Sequence, residues 1–203
     1  MTTQHVIPLT KGVPIRLAKP DGSAVSLKSV HVGCGWDSAR QSNVKHDLDL
    51  SFILLADSKS KNLVTQSDGN PGIVFYNLLK SACGSIVLDK DNRDGSGDGY
   101  DENGNLNLET LPPEIGCIMV LMSIHDEKNL GITFGQVENA YVDVNVDGMD
   151  SLKIDLTEDH AASKAVNVAE IYRHDGGWRV KKIDLGFDNG LEEVLQSYGA
   201  KTE

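Results

Sequence analysis

At 203 residues, 39% of them hydrophobic, the chain is long enough to fold around one substantial core and too apolar for intrinsic disorder. Its formal net charge of −11 excludes nucleic acid as a partner, because phosphate recognition needs a basic footprint and no stretch clusters lysine and arginine with aromatics. The longest apolar run, residues 117–122, is too short to form a transmembrane segment, and residues 1–12 carry no apolar signal core.

Taken in chain order, the pattern is one of strands. Gly35, Trp36 and Asp37 close the first of them, and residues 48–55 are apolar on both parities, as in an interior strand covered on two faces. Pro71 and Gly72 lead into a strand that enters a loop over residues 73–80. Residues 117–124 read as a second interior strand. Residues 141–146 alternate strictly, with Val142, Val144 and Val146 on one face; Asp147-Gly148 then turns the chain into Leu152, Ile154 and Leu156, a hairpin. A further hairpin is expected from residues 166–173 and 178–183, with Tyr172 and Trp178 as a cross-strand aromatic pair. The one clear helix signal covers residues 191–198, with Asn189 as cap and Gly199 beyond its end. Short strands punctuated by glycine turns predict a mainly β, antiparallel β-sandwich with a few short helices, a single domain over residues 1–203.

Cys34, Cys83 and Cys117 are odd in number and far apart, which fits free buried thiols in a reducing compartment and places the chain in the cytoplasm, or in a particle assembled there. Enzyme signatures are missing: there is no Gly-x-Ser-x-Gly elbow, His-Glu-x-x-His, Cys-x-x-Cys or P-loop lysine. His125 beside Asp126 invites a dyad, but neighbours on a strand face opposite ways. The chain is expected not to be an enzyme.

The chemistry concentrates in residues 89–102, where Asp89, Asp91, Asp94, Asp98, Asp101 and Glu102 face only Lys90 and Arg93. At ~7 Å and an effective dielectric of ~20, each pair of carboxylates repels by about 2 kcal/mol. A hard divalent cation reverses that sign, and calcium, with six to eight oxygen ligands, suits carboxylates, an Asn amide and carbonyls turned inward by Gly95, Gly97 and Gly99. Magnesium keeps its waters, and zinc wants the Cys/His cluster that is missing here. The segment is not an EF-hand: a loop starting at Asp89 meets Asp94 and Tyr100 where glycine and glutamate belong, and one starting at Asp91 fails at Arg93, Gly95 and Ser96. A plain solvated acidic loop is the alternative. Asp47 and Asp49, two apart at the head of an apolar strand, point to one face and offer an opposite wall for a cation site, with Asp37 at the same edge.

The residues Gly33-Cys-Gly-Trp-Asp37, Asp47-Leu-Asp49, Val74-Phe-Tyr-Asn77, Asp91-Asn92, Gly95-Ser-Gly-Asp-Gly-Tyr-Asp-Glu102, Ile124-His-Asp126, Phe134-Gly-Gln-Val137, Asn139-Ala-Tyr141, Glu170-Ile-Tyr-Arg173 and Gly177-Trp178 resemble, in order and over nearly the whole chain, the tellurite-resistance TerD-like family. The resemblance implies a β-sandwich binding calcium ions at one edge, linked to tellurite, phage and colicin stress. By matching position it carries metal-ligand candidacy to Asp37, Asp47, Asp49, Asn77, Asp91, Asn92, Asp98, Asp101 and Glu102, with Asp126 as an outlying member. Two positions depart from the family: Leu78 stands where a second Asn is usual, and Tyr100 where an Asp is usual. The expected role, motivated by the acidic loop, is a calcium-dependent binding or scaffold module with a protein partner not identified by sequence. The alternative is a structural component of a larger phage or membrane-associated assembly in which calcium rigidifies an interface.

Overall fold

A computed structural model describes residues 5–19, 21–38, 46–95, 99–125, 131–156 and 160–200. Among the described residues, twelve strands form two six-stranded sheets. The first orders β1 (Val6–Pro8), β10 (Ser151–Asp155), β9 (Val137–Val146), β3 (Val30–Ser38), β7 (Glu102–Leu106) and β6 (Ile86–Leu88). The second orders β2 (Pro14–Arg16), β12 (Gly177–Phe187), β11 (Ala165–His174), β8 (Cys117–Ile124), β4 (Leu48–Leu55) and β5 (Ile73–Val74). Pairing is antiparallel except where β1 runs parallel to β10.

Alternation builds the core. Val32 and Cys34 of β3, Leu50, Phe52 and Leu54 of β4, and Val142 and Val144 of β9 meet between the sheets as one buried cluster. Gly104 of β7 faces the Phe52 ring so closely that a Cβ there would lie 2.4 Å from it. The other parity of β4 and β8, Ile53, Leu55, Cys117, Met119 and Leu121, packs under α1 (Leu191–Ser197) through Val194, which explains why both strands are apolar throughout. On that face the fully buried Glu170 carboxylate lies between Lys181 at 2.9 Å and Lys61 at 3.2 Å. Among the described residues, no helix is long and apolar enough to cross a membrane.

Both expected hairpins form, β9–β10 and β11–β12; the latter turns through Asp175 and Gly176, each at positive φ, as a two-residue hairpin loop requires. Three expectations are corrected. Tyr172 pairs with Arg179, while Trp178 pairs with Arg173, so the two aromatics fall on opposite faces: Trp178 in the inter-sheet core, Tyr172 under α1. The cap of α1 is Gly190, with no side-chain bond, and Asn189 instead donates to Glu193. Of the three free cysteines, Cys34 and Cys117 are buried, but Cys83 is exposed.

Candidate metal centre

One end of the sandwich gathers the close of β3, the start of β4, the start of β7 and the close of β8. Trp36 ties two of these together, its indole Nε1 donating to the His46 carbonyl at 3.0 Å, ahead of Asp47. Asp47 and Asp49 project to one side, as their spacing requires, and the segment after β6 brings Asp91 against them. One carboxylate oxygen from each of Asp47, Asp49 and Asp91 lies within 4.8 Å of the others. At that separation and an effective dielectric of ~20, each like-charged pair costs about 3 kcal/mol.

Burial sharpens the conflict. Asp49 is 3% exposed, and burial first, then the Asp47 charge, push its pKa up to about 7, with His125 pulling the other way and Asp91 adding to the rise. Glu102 opens β7 with 7% exposure; burial lifts its pKa to about 8 against the bond its Oε2 accepts from the Leu50 N–H, with Asp49 and Asp91 adding to the rise. Asp91 and Glu102 line a cleft of about 10 Å³ with Leu50 and Tyr76, on the scale of one water-sized sphere. Asp91 Oδ1 is buried there with no hydrogen-bond partner, while its Oδ2 accepts from Arg93 Nε at 3.1 Å. A buried carboxylate oxygen of that kind costs free energy until a proton or a cation meets it.

A second, more open cavity of about 120 Å³ lies alongside, lined by Asp37, Asp101, Asn139, Gly35, Trp36 and Tyr141. Asp37 is exposed and accepts from Asn139 Nδ2 at 2.6 Å. Asp101 Oδ2 accepts from the Trp36 N–H at 2.9 Å; burial raises its pKa, the Trp36 bond opposes the rise, and Asp37 and Asp94 add to it. Asn92 joins the two places, its backbone N–H directed at Glu102 Oε1 at 3.4 Å and its Nδ2 donating to Asp101 at 3.2 Å. Gly95 and Gly99 take the positive φ expected of them.

The candidates therefore divide. Asp47, Asp49 and Asp91 converge, with Glu102 and Asn92 beside them; Asp37 and Asp101 occupy the neighbouring cavity. Asn77 is exposed in the turn after β5, and its side chain has no described contact with these carboxylates. Asp98, Asp126 and Gly97 lie outside the described residues, and with Asp126 the His125–Asp126 dyad. Two participants were not candidates. His125 sets Nδ1 3.6 Å from Asp49 Oδ2 and stacks edge-on with Tyr76 at 5.2 Å. Asn139 holds Asp37 from across the β3–β9 pair. Both fall in motifs that carry the family resemblance, but the partner each one meets has no local sequence signal, since it depends on strand register.

The donors that meet are oxygens. Cys34, opposite Glu102 in register, stays a thiol, its pKa pushed well up by burial and by the Glu102 charge. Such a set suits a hard cation and not zinc.

The TerD domain pattern matches residues 6–198. A tellurium resistance protein TerD from Alcaligenes sp is 38% identical over 196 residues, covering 95% of this chain and 97% of the relative. General stress protein 16U from Bacillus subtilis (strain 168) is 37% identical over 196 residues, with the same coverage of both chains. The crystal structure of a homologue of telluride resistance protein (TerD) from Streptomyces coelicolor A3(2) superposes with a TM-score of 0.71 at 25% identity, covering 86% of this chain and 99% of that one.

Proposed function

The chain belongs to the TerD family, and from that premise we propose that it is a calcium-binding stress-response protein, acting as a calcium-dependent binding or scaffold module and not as an enzyme. One observation carries the reading: Asp47 and Asp49 from a strand and Asp91 from a distant loop bring carboxylate oxygens within 4.8 Å of one another, one of the three carboxylates being buried. Such a gathering opposes folding unless its charge is neutralised, and a divalent cation neutralises it with the ligand type it prefers.

Asp47, Asp49 and Asp91 would hold the ion, with Glu102 beside them and Asp37 and Asp101 offering donors next door. The bound cation would supply charge neutralisation and cross-link the acidic segment to β4 and β7. Calcium is favoured over magnesium because the donors are many and anionic. Relatives are named for tellurium resistance and general stress, and a role in the same responses is proposed here. Three free thiols favour the cytoplasm as the working compartment.

Thermal melting in calcium, in magnesium and in excess chelator tests the reading. Calcium is expected to raise the melting temperature by mass action, and the chelator to reverse the rise. Superimposable curves in calcium and chelator would overturn it.

A further inference from the structure

Tyr100 immediately precedes Asp101 and Glu102, and it does not point into the acidic rim. Its ring lies flat on the outer face of the first sheet, over Gly33 of β3. A Cβ at Gly33 would fall 2.5 Å from the ring's Cγ and within 2.7 Å of both Cδ atoms, closer than real Cβ atoms approach anything. Gly33 is in register with Asn103 of β7 on one side and with Asp143 of β9 on the other. The ring thus bridges from the start of β7 across bare β3 backbone to β9. There the hydroxyl donates to Asp143 Oδ2 at 3.1 Å and accepts from Asn145 Nδ2 at 3.0 Å. The His31 ring flanks it at 5.2 Å and the Tyr141 ring at 6.3 Å. Next along the chain, the Asp101 N–H donates to the Cys34 carbonyl at 2.8 Å.

We propose that Tyr100 is a positioning residue: seated on Gly33 and bonded to Asp143 and Asn145, it pins the closing end of the acidic segment to the first sheet, so that Asp101 and Glu102 are in place before an ion arrives. The pinning stands on the geometry alone; its consequence for ion binding rests on the calcium reading above. A residue that serves only as apolar cover needs neither hydroxyl partners nor a missing Cβ beneath it. Holding ligands in their bound arrangement lowers the ordering cost of binding, so the anchor acts on affinity.

The test uses the full chain and four variants: Tyr100→Phe, Tyr100→Ala, Gly33→Ala and the double Gly33→Ala/Tyr100→Ala. Amide exchange of the metal-free protein reports pinning, and calcium titration reports its consequence. Tyr100→Ala is expected to speed exchange at Asp101 and weaken calcium binding roughly tenfold, the equivalent of one or two net hydrogen bonds, and to lower the metal-free melting temperature by no more than that same loss implies. Tyr100→Phe falls between. Gly33→Ala reproduces Tyr100→Ala, and in the double variant it adds nothing, because the ring it displaces has gone. Unchanged exchange in Tyr100→Ala overturns the proposal, as does a Gly33→Ala effect that persists without the ring. A fall in melting temperature with calcium affinity intact also overturns it, since that is plain structural support. If wild type takes up no calcium while Tyr100→Ala still speeds exchange, the pinning stands and the calcium reading fails.

Discussion

Glu102, at the start of β7 in one sheet, accepts a 2.5 Å hydrogen bond from the backbone N–H of Leu50, in β4 of the other. A single carboxylate therefore ties the two sheets together at the rim where Asp47, Asp49 and Asp91 also meet. Its burial makes that tie pH-sensitive.

Stability of the metal-free protein is predicted to fall as pH rises from 5 to 8. Asp49 is raised from 3.8 to about 7 and Glu102 from 4.5 to about 8. In this window the folded chain holds protons that the unfolded chain has released, so each group opposes folding by on the order of 1.4 kcal/mol per pH unit until its folded pKa is passed. Asp184, whose burial is outweighed by the His160 bond and by Lys182 so that its pKa is lowered, titrates below the window. Urea unfolding in chelator at several pH values between 5 and 8 measures the slope; a flat or rising profile contradicts it.

Neutralising Glu102 is predicted to have opposite effects with and without calcium. Glu102→Gln keeps an oxygen for the Leu50 N–H but removes the buried charge, so the metal-free variant gains on the order of 1 kcal/mol at pH 8. The same variant loses much of the calcium-dependent rise in melting temperature. Destabilisation in chelator at pH 8 would show that the carboxylate is satisfied without a cation.

Calcium binding at pH 7 is predicted to release about one proton per protein, because Asp49 and Glu102 are both partly protonated there. Calorimetric titration in two buffers of different ionisation enthalpy reads this number directly. Identical apparent enthalpies in the two buffers would mean that the protonated carboxylates are not the ones that meet the ion.

Away from the rim, Lys181→Ala is predicted to destabilise the fold by on the order of 2 kcal/mol, since it leaves the fully buried Glu170 with Lys61 alone and both lysine ends are partly in water. Chemical unfolding checks the loss, and calcium affinity should not change. A shift in affinity would mean that the face under α1 communicates with the rim.

The parts of the fold that were legible in the sequence are those with a strong local period. Tyr141, Asp143 and Asn145 against Val142, Val144 and Val146 gave the β9–β10 hairpin, and two-sided apolarity gave β4 and β8 as covered strands. Asp47 and Asp49 share a face because they are two apart. That Asp91 joins them was an expectation only, since it depends on how the segment joining β6 to β7 of one sheet reaches the start of β4 in the other. The Tyr172–Trp178 pairing failed by one residue of register, which in a strand exchanges the faces. Strands β1 and β2, three residues each, carry too little pattern to be read. In the sequence Tyr100 shows only as a tyrosine where the family usually has an Asp; its seat on Gly33 emerges only when β3, β7 and β9 lie side by side.

The proposed function requires that an ion meet the negative charges brought together by Asp47, Asp49 and Asp91. Equilibrium calcium uptake by chelator-treated protein, compared with a variant carrying Asp47→Asn, Asp49→Asn and Asp91→Asn together, tests this most directly. Saturable uptake by wild type that is lost in the variant is the predicted result. No uptake by wild type, or equal uptake by both, would contradict it.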